Sequence, residues 1–369
     1  MTSEHERRVV EVCAAWGRGP VVAVEPVVTP GFSGSPVHVV TLAAARRFVV
    51  KPFAPHVTRE RADWIHGLMR HARAGGMAEV PEVLVAVGGG SIVGDRDGRL
   101  WELVQWMDGR PDAAPTAARA AAALGTLARL HAAWGSFPGA TAAPGVSPGP
   151  GASPGVERRV QQATDLLHRP WSIRFGAGGA RSEADELAPI ADLCHAAAGM
   201  LDGARGRRCL MAVATARVGA VRRQAVVRDL WSDHVLFTDR EPARVAGIVD
   251  FHAAGIDTPL TDIARLLGSW PRPGGGAEGA AGGLTGGWCE PLAAYGEARG
   301  QPLTTAEAWL CDWLHAAGVI CGLDNWFRWT LEENRRFPDA HRAIERMQRL
   351  VADLPAAIDW LASAGNQPV

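Results

Sequence analysis

Lys51 is the chain's one lysine, against 37 arginines, and it closes the apolar run Phe48-Val49-Val50. An ammonium is a compact point charge on a thin stem, whereas a guanidinium is a broad planar fork. A site where one cation must reach between phosphate oxygens and a carboxylate accepts the first and rejects the second. Two aspartates supply the complementary chemistry. Asp229 lies in Val226-Val227-Arg228-Asp229-Leu230-Trp231-Ser232-Asp233-His234-Val235-Leu236-Phe237, and Asp250 ends Ala246-Gly247-Ile248-Val249-Asp250-Phe251. Two such carboxylates in one pocket divide the work: one accepts a hydroxyl proton and the other holds a metal. Upstream of the lysine, Pro30-Gly31-Phe32-Ser33-Gly34-Ser35 is a glycine turn whose backbone amides can approach phosphate oxygens with no Cβ in the way.

These residues need elements to place them. From Val21 to about Met107 the pattern is strand-like, and from Thr116 onward alanine- and leucine-rich helical periodicity dominates. Val21–Val28, Val37–Leu42 and Arg47–Val50 read as three consecutive antiparallel strands, the third ending at Lys51. An amphipathic helix from Arg59 follows, with Trp64, Ile65, Leu68 and Met69 on one face and a stop at Gly75-Gly76. Pro81–Val87 then leads to a hairpin signalled by Asp97-Gly98, followed by Leu100–Trp106 as a fifth strand. Gly88–Gly94 lacks the spacing of a dinucleotide fingerprint and reads as a turn. A turn over Thr238–Pro242 folds the two aspartate strands into a hairpin, with Asp229 before one and Asp250 at the end of the other. Further helices are expected over residues 117–134, 157–167, 183–201, 258–267, 305–331 and 340–362, with a Pro/Gly-rich surface insertion over residues 138–155.

Composition excludes several classes of function. The 369 residues are 47% hydrophobic and 21% charged, enough for a sizeable core in two lobes. Basic and acidic residues number 38 and 39, so no general pull toward nucleic acid or anionic membrane is expected. No apolar run reaches membrane-spanning length, and Met1–Arg8 has no apolar segment behind it, so a cytoplasmic location is expected. The six cysteines show no Cys-x-x-Cys spacing and read as small buried hydrophobes. The 14 tryptophans are scattered through helical patterns and are expected in the core.

In their order, these segments resemble the aminoglycoside phosphotransferase and choline kinase family, the small-molecule branch of the protein-kinase-like fold. That family's catalytic stretch runs His-Gly-Asp-Leu-His-x-x-Asn-Val-Leu, and its metal strand ends in Ile-Asp-Trp or Ile-Asp-Phe. Asp229-Leu230, Val235-Leu236 and Asp250-Phe251 match, as does Asp257-Thr258-Pro259-Leu260-Thr261-Asp262-Ile263-Ala264. The departures are Val227 for the first His, Arg228 for the Gly, Trp231 for the second His and His234 for the Asn. Gly31-Phe32-Ser33-Gly34 resembles the glycine loop, Lys51 the strand-three lysine and Glu60 its helix partner, with Asp63 one turn away as the rival. Gln105-Trp106-Met107-Asp108-Gly109 resembles the linker between lobes.

The resemblance implies an α+β, two-lobed kinase-like fold. Residues 1–107 would form a small antiparallel β lobe with one helix, and 108–369 a larger, mainly helical lobe. It implies ATP and Mg2+ as cofactors and transfer of the γ-phosphoryl group to a hydroxyl of a small molecule. Asp229 would be the catalytic base. Gly31, Ser33, Gly34, Lys51, Glu60, Gln105 and Trp106 would bind nucleotide, and Asp250 and His234 the metal. An imidazole offers magnesium nitrogen where the family offers oxygen. His234 ligating, Asp233 substituting, loss of that contact, or a merely packed histidine all remain open, as does a catalytically idle, nucleotide- or metabolite-binding chain. Asp262 reads as structural support. Asp312, Asp324, Glu332 and Glu333 could receive a cationic acceptor. The family takes aminoglycosides, choline-like amines, amino-alcohols and sugars, so the acceptor stays open.

Overall fold

The protein is described by a computed structural model covering residues 4–27, 36–139, 148–175, 188–239, 244–272 and 286–364. The glycine turn with Gly31, Ser33 and Gly34 lies outside the described residues. In chain order the elements begin α1 (Glu4–Ala14), β1 (Val21–Pro26), β2 (His38–Leu42), β3 (Arg46–Pro52), α2 (Arg59–Ala74), β4 (Ile92–Gly94), β5 (Leu100–Gln105), β6 (Arg110–Pro111) and α3 (Ala117–Gly135). They continue β7 (Gly149–Gly151), α4 (Pro154–His168), α5 (Trp171–Phe175), α6 (Ala188–Asp202), α7 (Ala204–Ala214), β8 (Val221–Val226), β9 (Val235–Phe237), β10 (Val245–Ile248) and β11 (Gly255–Asp257). The chain closes with α8 (Leu260–Leu267), α9 (Cys289–Arg299), α10 (Thr305–Phe327) and α11 (Ala340–Ala364). This is the expected α+β class. The compact units divide the chain differently from the expected 1–107 and 108–369: one holds Met1–Pro148 with Gln224–Ile256, the other Gly149–Arg223 with Asp257–Val369.

In the first unit, an antiparallel sheet runs in the order β1-β2-β3-β5-β4. The β3–β5 register sets Lys51 opposite Glu102, and directly opposed residues of an antiparallel pair project to the same face. The short β4 pairs with β5 around the Asp95–Gly98 turn. Asp95 Oδ1 accepts from the Asp97 and Arg99 amides at 3.0 and 2.9 Å, and its Oδ2 from Trp101 Nε1 at 2.9 Å. The strand expected over Pro81–Val87 is not formed; it makes only an isolated bridge, Val83 to Val104. Helix α1 was not anticipated, yet Val9, Val12, Cys13 and Trp16 recur at helical spacing and pack on Val40, Leu42, Phe48, Val50, Trp101 and Leu103.

Helix α2 starts where the Thr58 hydroxyl accepts from the Arg61 amide, and its buried stripe includes Ala62, Ile65, His66 and Met69. It packs against α3, and Trp134 Nε1 donates to the Leu68 carbonyl at 3.1 Å. A second sheet of this unit runs β10-β9-β6. Gly109, with φ +143°, precedes β6; a Cβ there would stand 2.8 Å from the Phe237 carbonyl oxygen and from Ala246 Cβ. The Ile248 amide donates to the Glu79 carbonyl at 2.8 Å, tying the end of β10 to the segment between α2 and β4.

The second unit is mainly helical. Helix α4 is capped by the Ser153 hydroxyl with Pro154 in its first turn, and α10 by a capping box of Thr304 and Glu307. Within it α10 packs on α8 and α11, and α7 on α4 and α11. Helix α6 covers the described part of the expected 183–201 helix, whereas α7 was not anticipated. The expected insertion over residues 138–155 instead contributes β7, which pairs Gly149 with Arg223, and the start of α4. Cys13, Cys194, Cys209, Cys311 and Cys321 are buried, whereas Cys289 is exposed. Among the described residues no helix is long and apolar enough to cross a membrane.

Candidate active site

The residues singled out for chemistry converge within the first unit. Lys51 is buried, and its Nζ donates to Asp250 Oδ1 at 2.7 Å. Strand β3 delivers the amine and the segment after β10 delivers the carboxylate. The expected hairpin is present as the antiparallel β9–β10 pair, with Val235 opposite Ile248. It places Asp229 in the loop before β9 and Asp250 just beyond β10. Burial alone would push the Asp250 carboxyl up; the Lys51 charge, aided by His234 and His252, outweighs it and holds the group far below the ordinary carboxylate range.

Two non-glycine residues of this loop system have left-handed backbones: Arg228 at φ 68° and Asp250 at φ 64°. Left-handed conformation costs a residue with a Cβ about 1–2 kcal/mol. Position 228 is where the resembled motif carries glycine, so the arginine keeps the turn and bears its strain. Its side chain passes over Gly255, where a Cβ would stand 2.4 Å from the guanidinium.

His234 Nδ1 sits 2.8 Å from the Asp229 carbonyl oxygen. A carbonyl only accepts, so the ring proton of this bond is on Nδ1, and in the neutral ring Nε2 carries a lone pair. That Nε2 lies 3.9 Å from Asp250 Oδ2, the oxygen not bonded to Lys51. Trp231 Nε1 donates to Asp229 Oδ1, so the residue in the second His position orients the proposed base.

Gln105 ends β5 and its Oε1 accepts from the Glu82 amide at 3.2 Å. Trp106 follows it, its ring 4.3 Å from the Arg47 guanidinium and its Nε1 donating to Asp108. Glu60, the expected helix partner of Lys51, does not meet it in this structure. It is exposed in the first turn of α2, as is Asp63 further along the helix, and the ion pair of Lys51 is made with Asp250 instead. In the second unit, Asp324 accepts from Trp171 Nε1 at 3.0 Å and Arg174 Nη1 at 2.6 Å, and Glu332 pairs with the same arginine. Those two carboxylates are already neutralised, which weakens their reading as receivers of a cationic acceptor. Asp262 is fully buried in the first turn of α8.

Sequence reasoning missed Glu102, His66 and His252. Glu102 Oε1 and Oε2 accept from His252 Nε2 at 2.7 Å and His66 Nε2 at 2.8 Å. His66 Nδ1 lies 2.9 Å from Ser91 Oγ, and His252 stacks on Phe53 with centroids 4.1 Å apart. The available signal was a lone carboxylate within the apolar strand Leu100–Trp106. Burial raises the Glu102 carboxyl, but the His252 charge and hydrogen bond, then His66, overcome this and hold it well below the usual range. A depressed folded-state pKa stabilises fully above the unfolded value, about 4.3 for glutamate. That stability is lost as pH falls through the folded value. Glu102→Gln should therefore flatten the decline in unfolding free energy below about pH 4, read from urea melts against the parent chain.

Comparison with known proteins places the site in context. A model of the phosphotransferase enzyme family matches residues 27–310, and the chain belongs to that family. No curated protein matches its sequence. Among solved structures, an aminoglycoside phosphotransferase from Alicyclobacillus acidocaldarius is similar over 94% of this chain and 96% of its own, with TM-score 0.54 and 14% identity. A spectinomycin phosphotransferase in complex with ADP and spectinomycin is similar over 97% and 98%, with TM-score 0.55 and 10% identity. A microcompartment-associated aminopropanol kinase is similar over 97% and 99%, with TM-score 0.54 and 15% identity. At such identities the likeness establishes the kinase-like fold.

Proposed function

We propose that this chain transfers the γ-phosphoryl group of ATP to a hydroxyl of a small molecule. The observation that carries this reading is the meeting of Lys51, Asp250 and the Asp229 loop in one compact unit, in the order the family uses. Lys51 neutralises phosphate charge from the β3 side. Asp229 accepts the acceptor's hydroxyl proton as the acceptor oxygen bonds to phosphorus and the bond to the bridging oxygen of ADP breaks. Gln105 and Trp106, at the end of β5, are assigned to the nucleotide base and the glycine turn at Gly31, Ser33 and Gly34 to its phosphates.

The donor set suits a divalent cation. Asp250 Oδ2 offers a hard oxygen, and His234 Nε2 faces it with its tautomer fixed from behind by the Asp229 carbonyl. Among the described residues no three His, Cys, Asp or Glu side chains form a self-sufficient cage, so phosphate and water would complete the shell, as suits magnesium. A cation bound there would neutralise charge on the transferring phosphate. The nitrogen donor favours manganese over magnesium more than the family's oxygen would. His234→Asn should accordingly lower the half-saturating Mg2+ concentration for ADP-dependent stabilisation several-fold and narrow any Mn2+ advantage, read by thermal shift in the two metals.

A second reading, nucleotide binding without turnover, is favoured by the Trp231 indole, which occupies an oxygen of the proposed base. Thermal denaturation with ATP across Mg2+ and Mn2+ concentrations tests binding, since a ligand of the native state raises its stability. A phosphoryl-transfer screen over hydroxylated metabolites then separates the two readings. No stabilisation at any metal concentration removes both. Stabilisation without product or ATP hydrolysis leaves only the second.

A further inference from the structure

We propose that Glu102 is a positioning residue of the phosphotransfer site, clamping the Asp250 loop and α2 to the sheet beside Lys51. This rests on the reading that Asp250 holds a cation. Glu102 stands opposite Lys51 in the β3–β5 register, and both side chains are almost wholly enclosed. Its two oxygens are committed to two different elements: Oε2 to His66 from α2, and Oε1 to His252, two residues beyond Asp250. Helix α2 directs no carboxylate of its own to the lysine, since Glu60 and Asp63 are exposed. The sheet therefore supplies the acid and the helix the base, the reverse of the expected arrangement.

The backbone of Asp250 gives the clamp its purpose. A left-handed aspartate persists only where the surroundings over-determine it. Here the Lys51 bond fixes the carboxylate itself, and the clamp fixes the chain two residues on. His252 is held on both sides, by Glu102 at its Nε2 and by the Phe53 ring at its face. A second tie runs alongside, as Arg61 of α2 donates to the Ala254 carbonyl of the same loop. Releasing His252 lets residues 250–252 relax toward ordinary backbone and turns Asp250 Oδ2 away from His234 Nε2. Lys51 keeps its place, because β3 is held by β2 and β5 through backbone bonds.

The test counts free Mn2+ by its electron paramagnetic resonance signal in the presence of ADP, using the full chain. Glu102→Gln and His252→Gln are each expected to raise the apparent Mn2+ Kd about tenfold, with the double variant no worse than either single one, as for residues acting through one contact. ADP binding without metal should stay within about twofold of the parent in all three, a split that general destabilisation would not produce. If Glu102→Gln does not fold, His252→Gln, whose imidazole is partly exposed, decides alone by the same criterion. Mn2+ affinity unchanged in a cooperatively folded variant, or single effects that simply add, overturns the clamp while leaving the phosphotransferase reading intact. A parent chain that retains no Mn2+ with ADP overturns both.

Discussion

Asp229→Ala is expected to lower phosphoryl transfer by about 10²- to 10⁴-fold, the usual contribution of a positioned general base, while leaving nucleotide-dependent stabilisation near that of the parent. The separation follows from where the groups are mounted. Lys51 comes from β3 and Asp250 from beyond β10, whereas Asp229 sits in the loop before β9. Removing its carboxylate leaves the Lys51–Asp250 pair untouched. It also leaves the main-chain carbonyl that holds His234 Nδ1, so the metal-facing imidazole keeps its tautomer. The loss corresponds to about 3–5 kcal/mol of transition-state stabilisation. Asp229→Asn should be nearly as damaging, because an amide keeps the Trp231 hydrogen bond but takes no proton. Single-turnover assays with an acceptor from the screen read the rate, and thermal shift with ADP and metal reads the binding. Product formation at the parent rate in either variant would remove Asp229 from the role of base.

Local patterns were the legible part of this chain. The β1-β2-β3 order, the amphipathic α2 and the β9–β10 hairpin all announce themselves over short windows, which is why Lys51, Asp229 and Asp250 could be placed on their elements. Long-range partnerships were not legible. Lys51 meets Asp250 across 199 residues and Glu102 meets His252 across 150, and no spacing rule reaches so far. Glu60 shows why: a carboxylate in the first turn of a helix is favoured by the helix dipole alone, and that local cause is sufficient for its exposed position. Pro81–Val87 failed differently. Val83 and Leu84 are buried but Val85 and Val87 are exposed, and only Val83 bridges to β5. Helix α1 was overlooked because its charged first turn hid a spacing of Val9, Val12, Cys13 and Trp16 that marks one buried face.

Lys51→Ala carries the other large expectation, and its two effects point in opposite directions. Charge-assisted hydrogen bonds are worth about 1.5–3 kcal/mol each, so loss of the amine should weaken nucleotide binding by roughly 10- to 10²-fold. The same substitution leaves Asp250 without its cation. Because the Asp250 side chain is 30% exposed, water reaches it, and the stability cost should fall below the 3–5 kcal/mol of a broken, fully buried pair. The freed carboxylate, still facing His234 Nε2, should then attract a divalent cation more strongly than in the parent, where the ammonium competes for the same charge. Mn2+ alone is thus expected to stabilise Lys51→Ala more than the parent chain, while ADP stabilises it less. Lys51→Arg keeps the charge but forces a broad fork into an enclosed slot, where overpacking costs about 1–3 kcal/mol, so it should lose nucleotide affinity without gaining the metal response. Calorimetric titration of metal and nucleotide separately into the three chains reads both trends, and equal metal responses in all three would show that Lys51 and a cation do not share Asp250.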